Sequence, residues 1–153
     1  MLLVDTGPLL ATADRNDADH QACRALLEKD AGPLVTSALV IAEASYLLDR
    51  ELGPVADAAP FRSIVDGDLR VEPLQLADWT RIAELVEEYS DLRLGGTDAS
   101  LIALGERLGV ARIATLNHRD FAVVRPRHVG AFTLLPQASR KLFPAFVGHA
   151  DLL

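Results

Sequence analysis

The chain has 153 residues, half of them hydrophobic, with a net charge of −7 and a single cysteine. This length and composition suit one packed domain, and they exclude a disordered chain and one stapled by internal disulfides. No basic-then-apolar leader opens the sequence and no apolar run approaches membrane-spanning length, so a soluble cytoplasmic protein with no membrane partner is expected.

Leu2-Leu3-Val4 reads as a short buried strand, apolar on both faces as in a parallel sheet. Asp5-Thr6-Gly7 follows it, and Pro8 to Ala13 reads as one or two helical turns. Asn16 and Asp17 are candidate caps for a helix through Glu28 that buries Ala22, Cys23, Leu26 and Leu27. Cys23, set among apolar residues, reads as a core side chain rather than a nucleophile. Pro33 to Thr36 is a second strand, and Ser37 caps a helix from Ala38 to Leu52 that Gly53 ends. Pro54 opens another helix, which Pro60 is expected to break or kink. Leu69 to Pro73 is a short strand. Ala77 to Tyr89 is a helix whose inner face should be Trp79, Ile82, Ala83, Val86 and Tyr89. After the Gly95-Gly96 turn, Thr97 caps a helix through Leu108 that Gly109 stops. Arg112 to Leu116 and Ala131 to Leu135 complete the strands. Strands alternating with helices imply an α/β/α sandwich around a mainly parallel sheet. One domain is expected over residues 1–136. Residues 137–153 form a tail that docks on the domain or on a partner.

Three carboxylates stand where they are awkward unless used. Asp5 ends a buried strand, at the sheet edge where open α/β folds gather ligands, although a turn with a capping aspartate also accounts for it. Glu43 shares a helix face with Leu39, Tyr46 and Leu47, so it is expected to point to the apolar side. An arginine partner would serve it as well as a ligand would. Asp98 falls in the first turn of its helix, a place the helix dipole favours on its own. In a parallel sheet all three could meet at the carboxyl ends of the strands. Crowded carboxylates repel one another unless a cation holds them, and oxygen-only ligands suit Mg²⁺ or Mn²⁺. Such a centre can deprotonate a water for attack on a phosphodiester.

The charge is uneven. Arg107 to Lys141 holds seven basic residues and one acid, Asp120, within an otherwise acidic chain. This segment reads as a face for RNA, with Arg119 and Arg125 as contacts, or else as an arginine-rich solvated surface.

Four blocks in order carry a resemblance: Leu3-Val4-Asp5-Thr6, Ile41-Ala42-Glu43, the stretch from Asp91 through Gly95-Gly96-Thr97-Asp98 to Ser100, and Thr115-Leu116-Asn117-His118-Arg119-Asp120-Phe121. The chain resembles the PIN-domain endoribonucleases, specifically VapC-type toxins of bacterial toxin–antitoxin pairs, over nearly its whole length to about Leu135. The resemblance implies Mg²⁺-dependent RNA cleavage, with Mn²⁺ as a substitute, a homodimer, and inhibition by a cognate antitoxin. It implies that Asp5, Glu43 and Asp98 are catalytic acids that hold the metal. It assigns lesser metal roles to Asp91 and Asn117, and RNA contacts to Thr6 and Thr115 beside Arg119 and Arg125. One departure matters: Asn117 stands where the family commonly has aspartate, and Asp120, three residues on, is a candidate replacement. Two other readings remain. One is a degenerate PIN domain that binds RNA or antitoxin without cleavage. The other is a phosphatase of the haloacid-dehalogenase type, whose second aspartate would fall where this chain has Gly7.

Overall fold

The computed structural model describes residues 1–138. Within them, β1 (Leu2–Val4), β2 (Leu34–Thr36), β3 (Leu69–Val71), β4 (Arg112–Ala114) and β5 (Thr133–Leu135) form one sheet in the order β3-β2-β1-β4-β5. Every neighbouring pair is parallel. The helices are α1 (Thr6–Ala13), α2 (His20–Lys29), α3 (Ala38–Leu52), α4 (Pro54–Val65), α5 (Leu76–Glu88), α6 (Gly96–Leu108) and α7 (His118–Val123), with a 3-10 turn at Ser90–Leu92. The α/β/α sandwich with a parallel sheet is therefore the architecture. From β1 the chain steps outward to β2 and β3, then returns to the other side of β1 for β4 and β5. The order reverses between β1 and β4, and such a switch point opens a crevice at the carboxyl ends of the strands.

Each face of the sheet has its own apolar cluster. The larger joins Leu3, Val35 and Ile113 to α5 and α6 through Ile82, Leu85, Leu101, Ile102 and Leu104. The smaller joins Val4 and Leu69 to Ile41, with Leu9, Leu27 and Ile64 packed around them. A recess of about 750 Å³ remains on that second side, lined by Leu9, Leu27, Pro60 and Gly67 among others, and none of Asp5, Glu43 or Asp98 borders it. Cys23 is fully buried, as a core residue should be.

Several sequence expectations are corrected. α4 runs unbroken through Pro60, whose ring is buried against the recess, so packing against α3 and β3 outweighs the hydrogen bond proline cannot give. α2 starts at His20, later than Asn16 or Asp17 would set it, because Asp17 instead accepts the Asp19 N–H to shape the preceding turn. Its Ala22 is exposed. Thr97 does not cap α6; Gly95 holds that position and Thr97 lies inside the helix. α7 and the Ser90–Leu92 turn are too short for any periodicity to reveal. The inner face of α5 is Asp78, Arg81, Ile82 and Leu85, with the expected Val86 and Tyr89 packed against the same core, while Trp79 and Ala83 face solvent. Hydropathy could not see the charged part of this face, because Asp78 and Arg81 are buried by partners on α6. Arg107 Nε donates to Asp78 at 2.9 Å, and Arg81 donates to both oxygens of Glu106 at 2.8 and 3.0 Å. The tail lies, apart from Gln137 and Ala138, outside the described residues.

Candidate active site

Asp5 leaves β1 at its carboxyl end with its backbone N–H on the Ala114 carbonyl of β4, so it stands at the switch point. It is only 4 % exposed, and both carboxylate oxygens are engaged. Oδ1 accepts the Thr6 N–H at 2.8 Å, which makes Asp5 the N-cap of α1, and Oδ2 accepts the Thr115 hydroxyl at 2.7 Å. The capping reading was thus correct as far as it went, and the aspartate has a second partner besides. The Thr6 hydroxyl donates to Glu43 Oε2 at 2.6 Å, which ties α1 to α3. The Thr115 hydroxyl also accepts the Asn117 N–H at 2.9 Å. The Asn117 side-chain amide then donates to Asp98 Oδ2 at 3.3 Å and to Asp120 Oδ2 at 2.9 Å. One continuous line of hydrogen bonds therefore runs from Glu43 through Thr6, Asp5, Thr115 and Asn117 to Asp98 and Asp120.

Electrostatics agree with this convergence. Burial raises the Asp5 pKa, opposed by the hydrogen bonds from Thr115 and Thr6 and reinforced by the charge of Glu43. Asp98 is pushed up to about 7, first by burial, then by the charges of Asp5 and Glu43, with a smaller push from Asp120. The acids converge without closing: among the described residues, no three Asp, Glu, His or Cys side chains already stand in ion-enclosing contact. Charge repulsion reaches farther than coordination, so both observations hold together, and the threonine and asparagine donors link the carboxylates to one another.

The site corrects three expectations. Glu43 is exposed, as is Tyr46 beside it, so this face of α3 is not the apolar one; among the described residues, no arginine pairs with Glu43. Thr6 and Thr115 are buried, 6 % and 0 % exposed, with their hydroxyls given to carboxylates. They orient the acids, and burial leaves them no surface for RNA. The basic segment is not a free polycation. Arg107 pairs with Asp78 and Glu72, Arg112 with Asp30 and Arg127 with Glu84. Arg119 remains, its side chain 87 % exposed beside Asp120 at 3.8 Å. Arg125, also exposed, turns its guanidinium to the Ala122 carbonyl. Arg140 and Lys141 lie outside the described residues. Asp91 sits exposed in the 3-10 turn and takes no part in the hydrogen-bonded line. Sequence reasoning named Asp120 as a candidate replacement for Asn117 but did not foresee that the Asn117 amide donates to both Asp98 and Asp120.

Comparison with known proteins settles the family. The model of the PIN domain matches residues 2–125. The chain belongs to the PIN domain family. Ribonuclease VapC26 of Mycobacterium tuberculosis is 33 % identical to this PIN domain over 135 residues, which is 88 % of this chain and the whole of that protein. The fold is shared with a crystal structure of VapC20 from Mycobacterium tuberculosis, described as a sarcin–ricin loop cleaving toxin. The TM-score is 0.70 at 23 % identity, over 74 % of this chain and 87 % of that one. The matched region spans all four acids, Asp5, Glu43, Asp98 and Asp120, so this is a PIN domain of the VapC ribonuclease type with its acidic residues gathered at the switch point of the sheet.

Proposed function

We infer that this PIN domain is a Mg²⁺-dependent endoribonuclease and the toxin of a toxin–antitoxin pair. The observation that carries the reading is the line of hydrogen bonds that gathers Glu43, Asp5 and Asp98 at the β1–β4 crevice. The donor set fits a hard divalent ion: it is all oxygen, and Asp5 and Asp98 carry raised pKa values that a cation would relieve. Asp5 and Asp98 would hold the ion directly, with Glu43 acting directly or through water; Mn²⁺ offers the same chemistry. When bound, the ion supplies an activated water and neutralises charge building on the scissile phosphate.

The chain's own residues do the rest. Thr115 and the Thr6 N–H fix both oxygens of Asp5, so its carboxylate cannot rotate away. Glu43, steered by Thr6 and open to solvent, would take the proton of the attacking water. The water oxygen bonds to phosphorus as the bond to the leaving ribose oxygen breaks, and that oxygen takes a proton from solvent. Arg119, exposed at the start of α7 next to Asp120, would hold an RNA phosphate. An antitoxin would silence the site by inserting an arginine or lysine among these acids in competition with the ion. Two copies of the chain would present two such sites as a homodimer.

RNA cleavage by the purified protein tests the reading. Cleavage should require Mg²⁺ or Mn²⁺, stop in excess EDTA, and be lost in Asp5→Asn while the circular dichroism spectrum is unchanged. Undiminished cleavage in EDTA or by Asp5→Asn would sink it. Co-expression should give a complex with a small neighbouring protein and loss of toxicity; if no such protein protects cells, the toxin–antitoxin part fails.

A further inference from the structure

The exposed face of α3 leads outward from the site. Ala42, Glu43, Tyr46, Asp49 and Arg50 are all exposed, at the spacing that sets them in one stripe along the helix. Glu43 heads the stripe, tied to Thr6 at the edge of the crevice. Tyr46 follows one turn later, about 4.5 Å further along the helix axis. It is 64 % exposed and belongs to neither apolar cluster of the described residues. The chain's other tyrosine, Tyr89, shows the ordinary use of this residue: it packs against the larger cluster, and its hydroxyl accepts the Arg125 N–H at 3.0 Å. Over the Tyr46 ring stands only a cation, the Arg50 guanidinium, 5.5 Å from the centroid. That contact steadies an exposed ring and covers one of its faces, which leaves the other for solvent. The surroundings are charged rather than apolar: Glu43 and Asp49 flank the ring, and Arg50 also pairs with Glu51 at 3.0 Å. The core of a contact between protein copies is depleted of charge, whereas an unpaired nucleobase needs only a flat ring face to stack on.

We propose that Tyr46 is a stacking platform for an unpaired base of the RNA substrate, beside the scissile phosphate. The inference rests on the ribonuclease reading above and deepens it, because it adds a base contact to a site that otherwise grips only phosphate. The base lies on the ring face that Arg50 leaves open, and Arg50 fixes the orientation of the ring. Every base has a π-face, so the platform selects unpaired RNA over duplex rather than one base over another. Asp49 and Glu51 disfavour backbone phosphate at this end of the stripe, so Tyr46 acts through stacking and Arg119 through charge.

Binding of end-labelled single-stranded oligoadenylate in excess EDTA, read by fluorescence anisotropy, tests this without relying on activity. The comparison is an abasic ribose–phosphate chain of equal length, which carries the same charge and no base. The wild type should bind oligoadenylate more tightly than the abasic chain. Tyr46→Ala should weaken oligoadenylate binding about fivefold or more, the low end of what stacking on an aromatic ring contributes. It should leave binding of the abasic chain, and the slope of log affinity against log salt, as in the wild type. Tyr46→Phe and Tyr46→Trp keep a flat ring and should bind oligoadenylate as the wild type does. If Tyr46→Ala binds oligoadenylate like the wild type, or loses both oligomers equally, Tyr46 is no stacking platform. If Tyr46→Ala instead changes the oligomeric state in analytical ultracentrifugation, this face joins two copies of the chain and the inference falls. In each of these cases Mg²⁺-dependent cleavage by the wild type leaves the ribonuclease reading standing. A wild type that binds neither oligomer, with or without Mg²⁺, and cleaves no RNA ends both.

Discussion

At the scale of single residues, Asp98 sets a pH dependence with a definite sign. A free aspartate titrates at 3.8, and burial with the charges of Asp5 and Glu43 lifts Asp98 to about 7. Between those values the folded state holds a proton that the unfolded state has lost, so stability falls as pH rises through this window. The metal-free protein should therefore lose melting temperature from about pH 4 to about pH 7. Asp98→Asn should flatten that slope and melt higher than the wild type at pH 8; thermal melts in EDTA check it. Thr115 carries a different load, since its hydroxyl donates to Asp5 and accepts from Asn117 while fully buried. Thr115→Val strands both partners and should cost about 1–3 kcal/mol. It should also lower cleavage by loosening Asp5. Thr115→Ser should restore both, as read by urea unfolding and an RNA assay.

At the scale of elements, α6 matters most, because it carries Asp98 at one end and packs against α5 and β1. Gly105 is where it comes closest. A Cβ there would stand 3.0 Å from the Val110 carbonyl oxygen, 3.0 Å from the Phe132 ring and 3.2 Å from Leu3. Gly105→Ala gains about 1 kcal/mol of helix propensity but should lose about 1–3 kcal/mol to overpacking, for a net destabilisation in chemical unfolding. α5 is fastened to α6 by charge as well as by Ile82 and Leu85. Burial alone would raise the Glu106 pKa, but the hydrogen bonds from Arg81 and the Arg127 N–H hold it below the ordinary 4.5. That contribution is present above pH 4.5 and is lost as pH falls through the lower folded value. Glu106→Gln leaves Arg81 buried beside a neutral amide and should cost about 3 kcal/mol near neutral pH. The deficit relative to the wild type should shrink in acid, which urea titrations at several pH values would show.

At the scale of the molecule, an acidic protein of net charge −7 must bind a polyanion against its own field. Of the five described arginines in the basic segment, three are held in ion pairs that build the fold, which leaves Arg119 and Arg125 among them to oppose it. Arg119→Glu should weaken RNA binding and lower the slope of log affinity against log salt by about one unit. Arg107→Ala should act mainly on stability, since its guanidinium is committed to Asp78, Glu72 and the Pro73 carbonyl. Equal salt slopes for the wild type and Arg119→Glu would remove Arg119 from the interface.

The sequence by itself determined what depends on near neighbours. The apolar run before Asp5 made β1, Ser37 and Gly53 fixed both ends of α3, and strand–helix alternation required a parallel sheet whose carboxyl ends gather the acids. Those features follow from capping, backbone freedom and hydropathy within a few residues. The tertiary structure decided everything that hangs on a distant partner. Arg107 and Glu106 of α6 buried the charged side of α5, and Asp30, Asp78 and Glu84 absorbed arginines that read as an RNA surface. Thr6 fixed the direction of an exposed Glu43, and Asn117 drew Asp120 toward Asp98. A buried charge costs several kcal/mol alone and little when paired, so its place is known only once its partner's is. The ion-paired partners here lie between 25 and 82 residues apart along the chain, and only the fold brings them together.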